Sequence, residues 1–332
     1  MENFKGKIAV ITGGGTGMGR ELTYQLAEEG CHVSICDVIE ANMDETYDEA
    51  RSKYPNVTIT KHLCDVSSEE DVLRFRDEVL EQQKTEHINL LFNNAGIGGG
   101  ASFIVSDVEE WDRTFKICWN GVYFCARAFM DALMKCDEGH MINTSSVNGF
   151  WATLGHNQPH TSYSAAKFAV KGFTEALVND FKINAPHLGV SLVMPGHIGT
   201  SIAENSGKVL GQKALEDLNE EELQELKERW IKVGAPVHNL SAEVFRESII
   251  KRQNEFKEKA ITSASAAAKV ILDGVKANQW RILIGPDAKA LDQRVRENPE
   301  KAYDIDFLPM RKDSHFNLMK QLKEVAELDD ND

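Results

Sequence analysis

Ile8-Ala-Val-Ile-Thr12 runs straight into Gly13-Gly-Gly-Thr-Gly-Met-Gly19. An uncharged, mostly apolar run of this length reads as a strand buried on both faces. The glycines behind it let the backbone turn tightly and approach a ligand closely. A helix over Gly17–Glu29 follows, and the free amides at its N-terminus attract an anion such as a pyrophosphate. A second buried strand, His32–Asp37, ends on an acid. A carboxylate at that place accepts hydrogen bonds from both hydroxyls of a ribose and repels a 2′-phosphate. No Arg or Lys immediately follows Asp37, and Thr16 within the turn is not basic. The cofactor expected is therefore NAD in preference to NADP, with Arg20 as the cation that could reach a phosphate.

Outward from this unit the pattern repeats. Val57–Leu63, Ile88–Phe92, His140–Thr144, Val190–Val193 and Arg281–Ile284 read as further strands. Between them lie helical stretches. Ser67-Ser-Glu-Glu70 reads as a capping box opening a helix to about Gln82, and Ser106-Asp-Val-Glu109 as another opening a long helix towards Met134. Ser162–Ile183 is a third. Continuous apolar strands alternating with helices predict an α/β fold, a Rossmann-type doubly wound parallel sheet with helices on both faces. Beyond Thr200 the pattern changes. Ala214–Lys232 is acidic and amphipathic, with Leu215, Leu218, Leu223, Leu226, Trp230 and Val233 as its apolar stripe. Ala242–Lys259 and Ser265–Ala277 also read as helices. The expected organisation is a single domain over 1–332, with a helical substrate-binding flap at 201–262 and a C-terminal extension at 287–332.

Composition narrows the partners. Of 332 residues, 42% are hydrophobic and 27% charged, an ordinary globular balance. The net charge of −15 argues against nucleic acid and against anionic membrane surfaces, which both need basic patches. No apolar run approaches the roughly 18 residues of a membrane span, and Met1–Thr12 lacks a secretory pattern. The six cysteines show no CxxC pair and sit mostly in apolar runs, so a cytoplasmic location is expected.

Thr12-Gly-x-x-x-Gly-x-Gly19, Asp65-Val66, Asn93-Asn-Ala-Gly96, Asn120, Ser146, Tyr163-x-x-x-Lys167 and Pro195-Gly196 stand in this order along the chain. The sequence resembles the short-chain dehydrogenases/reductases of standard length, closely from about Phe4 to Thr200. The resemblance implies a hydride-transfer enzyme in which Tyr163 gives or takes the alcohol proton. Lys167 tunes Tyr163 and holds the nicotinamide ribose. Ser146 steadies the substrate oxygen, although Ser145 beside it leaves the register open by one. Asn120 supports a proton relay. The resemblance places cofactor contacts at Gly13, Gly15, Thr16, Gly17, Met18, Gly19, Asp37, Val38, Asp65, Val66, Asn94, Ala95, Gly96, Tyr163, Lys167, Pro195, Gly196, Ile198 and Thr200. It also implies a homodimer or homotetramer paired through the helices of Asn120 and Tyr163.

Chemistry alone supports part of this. Tyr163 and Lys167 are four apart and share one face of a helix. An ammonium beside a phenol favours the phenolate, so Lys167 is expected to lower the Tyr163 pKa. Ser146 and Tyr163 stand 17 residues apart (163 − 146), a longer gap than is usual in the family. The extra segment Phe150–Thr161 is expected to line the substrate mouth, with Ser146, Phe150, Trp151 and Tyr163 touching substrate. His156, His160 and His197 could in principle meet at a metal, but a polar covering loop is the preferred reading, and no metal is expected. The function expected is NAD-dependent oxidation of a secondary alcohol or reduction of a ketone, the small-molecule substrate being bulky and hydrophobic. Two alternatives stay open. A lyase or an epimerase of the extended relatives shares the Tyr-x-x-x-Lys pair but usually has a TGxxGxxG turn. A non-catalytic NAD-binding regulator would have little use for Ser146, Tyr163, Lys167 and Asn120 together.

Overall fold

A computed structural model describes residues 1–155, 158–232, 235, 237–304 and 307. Among these residues, seven strands form one parallel sheet: β1 (Ile8–Thr12), β2 (His32–Asp37), β3 (Ile59–Leu63), β4 (Leu90–Asn93), β5 (Gly139–Thr144), β6 (Leu188–Pro195) and β9 (Arg281–Ile284). Their order is β3-β2-β1-β4-β5-β6-β9. The order reverses between β1 and β4, and open α/β sheets bind ligands in the crevice at such a switch point. Two short strands, β7 (Ile198–Gly199) and β8 (Thr262–Ser263), pair separately.

Helices cover both faces, as continuous burial of the strands requires. On one face α3 (Glu69–Gln82), α5 (Gly121–Met134) and α6 (Thr161–Asn184) bury Phe75, Phe129 and Phe181 in a core with Val10, Leu91 and Met141. On the other, α1 (Gly17–Glu28) and α10 (Ala264–Lys276) bury Leu22, Leu26 and Ile271 against Ile11, Phe92 and Ile282. The helix α2 (Glu40–Lys53) links β2 to β3, and sequence patterning gave no sign of it because it is polar on nearly every side and buries only Met43, Thr46 and Ala50.

Three local expectations need correction. The cap of α3 is Ser68, whose Oγ accepts from the Asp71 amide at 3.2 Å, so the box is shifted by one residue. Ser67 instead donates its hydroxyl to Asp65. Ser106 does not cap α4 (Val108–Phe115) either; its Oγ accepts from the Ser102 amide at 3.0 Å, within the preceding turn, and Asp107 takes the cap position. Finally, the long helix runs on to Met134 as expected but is not α-helical throughout. A π-turn at Lys116–Asn120 separates α4 from α5, an insertion that often marks a functional site.

The region after β7 holds α7 (Ile202–Val209), α8 (Glu220–Lys232) and α9 (Ala242–Glu258). The expected apolar stripe is present: Leu223 is buried with Val237, Leu240, Phe245 and Ile249, while Leu215, Leu218, Leu226 and Trp230 pack against them. Val233 lies outside the described residues. After β9, α11 (Pro286–Glu297) is tied back by Arg281, which donates to both oxygens of Asp292 at 3.0 and 2.5 Å. The chain then returns to the loop behind β5. Trp151 Nε1 donates to the Ala302 carbonyl at 2.7 Å, and the Ala152 amide donates to Tyr303 Oη at 3.1 Å. Among the described residues no helix is long and apolar enough to cross a membrane.

Candidate active site

The glycine turn sits at the switch point, held from below. Thr12 Oγ1 accepts the Asn94 and Ala95 amides, both at 3.0 Å, and donates to the Phe92 carbonyl at 3.3 Å. This joins the ends of β1 and β4 under the crevice. Gly13 adopts φ +66°, and a Cβ there would lie 2.9 Å from Ala95 Cα, so no side chain fits. Asp37 Oδ2 accepts the Gly15 amide at 3.0 Å and Oδ1 accepts the Ile39 amide at 3.0 Å. Burial raises the Asp37 pKa, and those amides oppose the rise.

Arg20 is not available to a phosphate as the turn stands. Its guanidinium donates to the Gly15 carbonyl (2.8 and 3.1 Å), Thr46 Oγ1 (2.9 Å) and Glu45 Oε2 (2.7 Å). The cleft over the turn is lined by Gly13, Thr16, Gly17, Met18, Asp37, Val38, Asp65, Val66, Asn94, Ala95, Gly96 and Thr200, all expected cofactor contacts. Gly15 and Gly19 shape the turn from outside that lining, and Pro195, Gly196 and Ile198 line the adjoining cavity instead. Asn94 Oδ1 is buried with no hydrogen-bond partner. A side-chain-free cradle, an acid at the ribose position and an unsatisfied buried acceptor fit a dinucleotide. Arg113 is the cation in this lining, and its Nη2 is spent on Asp65 Oδ2 at 2.6 Å. Burial raises the Asp65 pKa, but the Arg113 and Ser67 hydrogen bonds outweigh it and hold that carboxyl below the usual range.

The adjoining cavity of about 2180 Å³ contains Ser146, Tyr163 and Lys167 in its lining. The two serines of this loop make different hydrogen bonds. Ser145 Oγ donates to the Lys167 carbonyl at 2.8 Å and is buried. Ser146 Oγ accepts the Asn148 amide at 3.1 Å, and its hydrogen bond to Tyr163 lowers the phenol's pKa. That effect is outweighed, because burial, with Cys118 adding to it, pushes Tyr163 above its ordinary value.

The expected lowering by Lys167 is therefore not what the protein alone displays. Lys167 Nζ stands 5.4 Å from the centre of the Tyr163 ring and donates to the Thr144 carbonyl at 2.8 Å. It faces the ring, and burial pushes its own pKa down. Asn120 ends the π-turn, half-buried, in a segment packed on the helix that carries Tyr163 and Lys167.

The insertion after Ser146 contributes Trp151, Thr153, Leu154 and His160 to the cavity lining, and Phe150 is turned away from it. Trp151 reaches the cavity but is mostly buried, clustered with Ala302 and Phe307, and Phe150 packs against that cluster. Both rings are drawn towards the C-terminal segment by its apolar side chains. His160 comes to Tyr163 instead, with ring centres 4.7 Å apart, and burial lowers its pKa to about 4. His197 Nε2 meets the Phe256 carbonyl at 2.7 Å, and His156 lies outside the described residues. Among the described residues no His/Cys/Asp/Glu group is arranged for a metal.

Two contacts had no sequence signal. Asn205 Nδ2 on α7 donates to Thr16 Oγ1 at 3.1 Å, and Ser206 Oγ accepts the Gly98 amide at 2.8 Å. Their partners lie 189 and 108 residues away, beyond the reach of any local pattern.

Residues 7–210 match the family model described as short chain dehydrogenase. SadH of Mycobacterium tuberculosis, provisionally named an oxidoreductase, is 30% identical over 296 residues, 89% of this chain and 92% of that one. Human epidermal retinol dehydrogenase 2 is 30% identical over 204 residues, 61% of this chain and 64% of that one. A solved short-chain dehydrogenase/reductase from Burkholderia phymatum, in complex with NAD, superposes with a TM-score of 0.70 at 24% identity, covering 90% of this chain and 96% of that one. The chain belongs to the short-chain dehydrogenase/reductase family, a family of oxidoreductases that use nicotinamide cofactors.

Proposed function

We propose that this protein is an NAD-dependent oxidoreductase acting on a secondary alcohol or its ketone. The observation that carries the reading is the meeting of Ser146, Tyr163 and Lys167 in one cavity next to the glycine-lined cleft. When bound, the nicotinamide supplies the hydride acceptor for the alcohol or the donor for the ketone. Tyr163 holds the proton at Oη, protonated while its surroundings stay dry, and gives it to the ketone oxygen or takes it back. Ser146 donates to the same oxygen as charge develops there. Lys167 Nζ has one donor on the Thr144 carbonyl and others free for a ribose hydroxyl. Asn120 continues the proton path beside that helix.

Asp37 and the committed Arg20 favour NAD over NADP. Leu154, Ile202, Leu215, Leu218 and Ile249 give the cavity apolar walls. Its volume exceeds the roughly 300–1,000 Å³ of most small-molecule sites, which favours a bulky substrate. Exposed Tyr123, Met134 and Phe168 on α5 and α6 favour a homodimer or homotetramer through that face, and the acidic charge with six free cysteines favours the cytoplasm. We read the helices at 201–262 as a substrate flap on one catalytic domain.

The test is a panel of secondary alcohols with NAD⁺ and NADP⁺, and of their ketones with the reduced cofactors, followed at the absorbance band of the reduced nicotinamide. Turnover with NAD⁺ ahead of NADP⁺ is expected. Cofactor binding without turnover of any substrate would instead favour a non-catalytic regulator.

A further inference from the structure

The far wall of the cavity carries a cation without an anion. Arg252 on α9 lines the cavity together with Trp230, Leu226 and Ile249. Its guanidinium carbon lies 5.6 Å from the centre of the Trp230 ring, and Trp230 in turn meets Phe245 edge-on at 5.6 Å. Arg252 is half-buried and, among the described residues, makes no hydrogen bond or ion pair. Burial lowers its pKa to about 10, so it remains charged at neutral pH.

The other cations around this cavity are accounted for. Arg113 is paired with Asp65, Lys208 with Glu204, Lys213 with Glu222 and Lys259 with Glu255. Arg229 and Lys257 are exposed to solvent. The nearby acids are also committed or solvated: Glu222 accepts from Lys213 and the Asn219 amide, and Glu225 is exposed.

Taking a guanidinium out of water without an anion is costly. A face-on aromatic ring returns about 0.5–2 kcal/mol, only part of that cost. The same stacking restrains the planar fork, which presents parallel N–H groups to a carboxylate with little further ordering. The guanidinium nitrogens stay open to the cavity, where a carboxylate can take the place of water. The cavity reaches from this wall to Tyr163.

We propose that Arg252 binds a carboxylate on the substrate, so that the preferred substrates are hydroxy acids or oxo acids with the carbinol at Tyr163 and the acid end in the flap. This inference rests on the oxidoreductase reading above.

The experiment uses a homologous series of aliphatic methyl carbinols, each paired with its counterpart bearing a carboxylate in place of the far methyl. For the full chain, kcat/KM is expected to favour the acid at the chain length that spans the cavity. In Arg252→Gln the acid-to-neutral ratio should fall by roughly 10–100-fold, the scale of a charge-assisted hydrogen bond. Arg252→Lys should fall in between, because it keeps the charge and loses the fork. An unmoved ratio overturns the proposal, whether both members slow equally or neither does. So does a rise in KM for NAD⁺ with the ratio intact, which would make Arg252 a cofactor anchor.

A binding assay separates this from failure of the oxidoreductase reading. Decanoate should bind the wild-type protein, by calorimetry, and bind Arg252→Gln at least 10-fold more weakly. If neither carbinol nor acid turns over yet decanoate binding depends on Arg252, the enzymatic reading fails and the anion site stands. Equal decanoate affinity in the two proteins sinks the site.

Discussion

Asn205 Nδ2 donates to Thr16 Oγ1 across 3.1 Å, which latches α7, the helix after β7, onto the glycine turn. The bond joins α7 to the glycine turn, and Asn205 itself lines the cleft over that turn. Asn205→Ala removes a neutral hydrogen bond worth about 0.5–1.5 kcal/mol. KM for NAD⁺ is therefore expected to rise by roughly 2–10-fold. Steady-state kinetics with varied NAD⁺ checks this, and an unchanged KM would mean that the latch plays no part in cofactor retention.

Tyr163→Phe keeps the ring that packs against His160 and removes only the hydroxyl. Turnover should fall by about 10²–10⁴-fold, the usual contribution of a positioned acid or base. Cofactor binding, followed by fluorescence, should persist. Loss of both would show that the phenol serves chiefly to hold the dinucleotide.

Asp37 holds the Gly15 and Ile39 amides and is the acid proposed to meet the ribose. Asp37→Ala should raise KM for NAD⁺ by about 10-fold and bring NADP⁺ closer to parity, since the charge that repels a 2′-phosphate is gone. The ratio of kcat/KM for the two cofactors is the readout. A wild-type protein that already prefers NADP⁺ refutes the cofactor assignment.

His140 is buried in β5, 2.7 Å from Ser191 Oγ, and burial lowers its pKa to about 4. In the unfolded chain a histidine titrates near 6.5. Between these values the unfolded state binds the extra proton, so stability is full above about pH 6.5 and declines as pH falls towards 4. The loss attributable to this one side chain approaches ~3 kcal/mol at the lower limit. His140→Gln should flatten that part of the stability curve in urea titrations at stepped pH. A slope as steep as that of the wild type would place the effect on other groups.

Reading the chain alone located β1, β2 and β9 to the residue, because each is a short apolar run flanked by turn-forming or polar residues. Ser146, Tyr163 and Lys167 were named through the resemblance to the family, and of their spacings only that from Tyr163 to Lys167 follows from helix geometry. Reading the chain alone misplaced the cap of α3 because Ser67 and Ser68 are equivalent in local pattern. The choice is made by Asp65, which takes the Ser67 hydroxyl at 2.7 Å and leaves Ser68 for the helix. It missed α2, which is too polar to show an apolar stripe. Phe150 and Trp151 looked like pocket walls because they are large, apolar and close to Ser146 in sequence. Trp151 does line the cavity, but it is mostly buried against Ala302 and Phe307, and Phe150 packs on that cluster with Leu291 and Val295 instead.

Continuous apolar runs, helical periodicity and glycines at a turn depend on interactions within a few residues. They determined the parallel α/β sheet, the glycine turn and the acid at the end of β2. Only the folded chain decided that Arg20 is spent on its own turn, that Lys167 faces the Tyr163 ring, that the C-terminal segment holds Trp151, and that Arg252 is left without an anion. Each of these depends on which distant side chains compete for the same donor, and that competition exists only once the chain has brought them together.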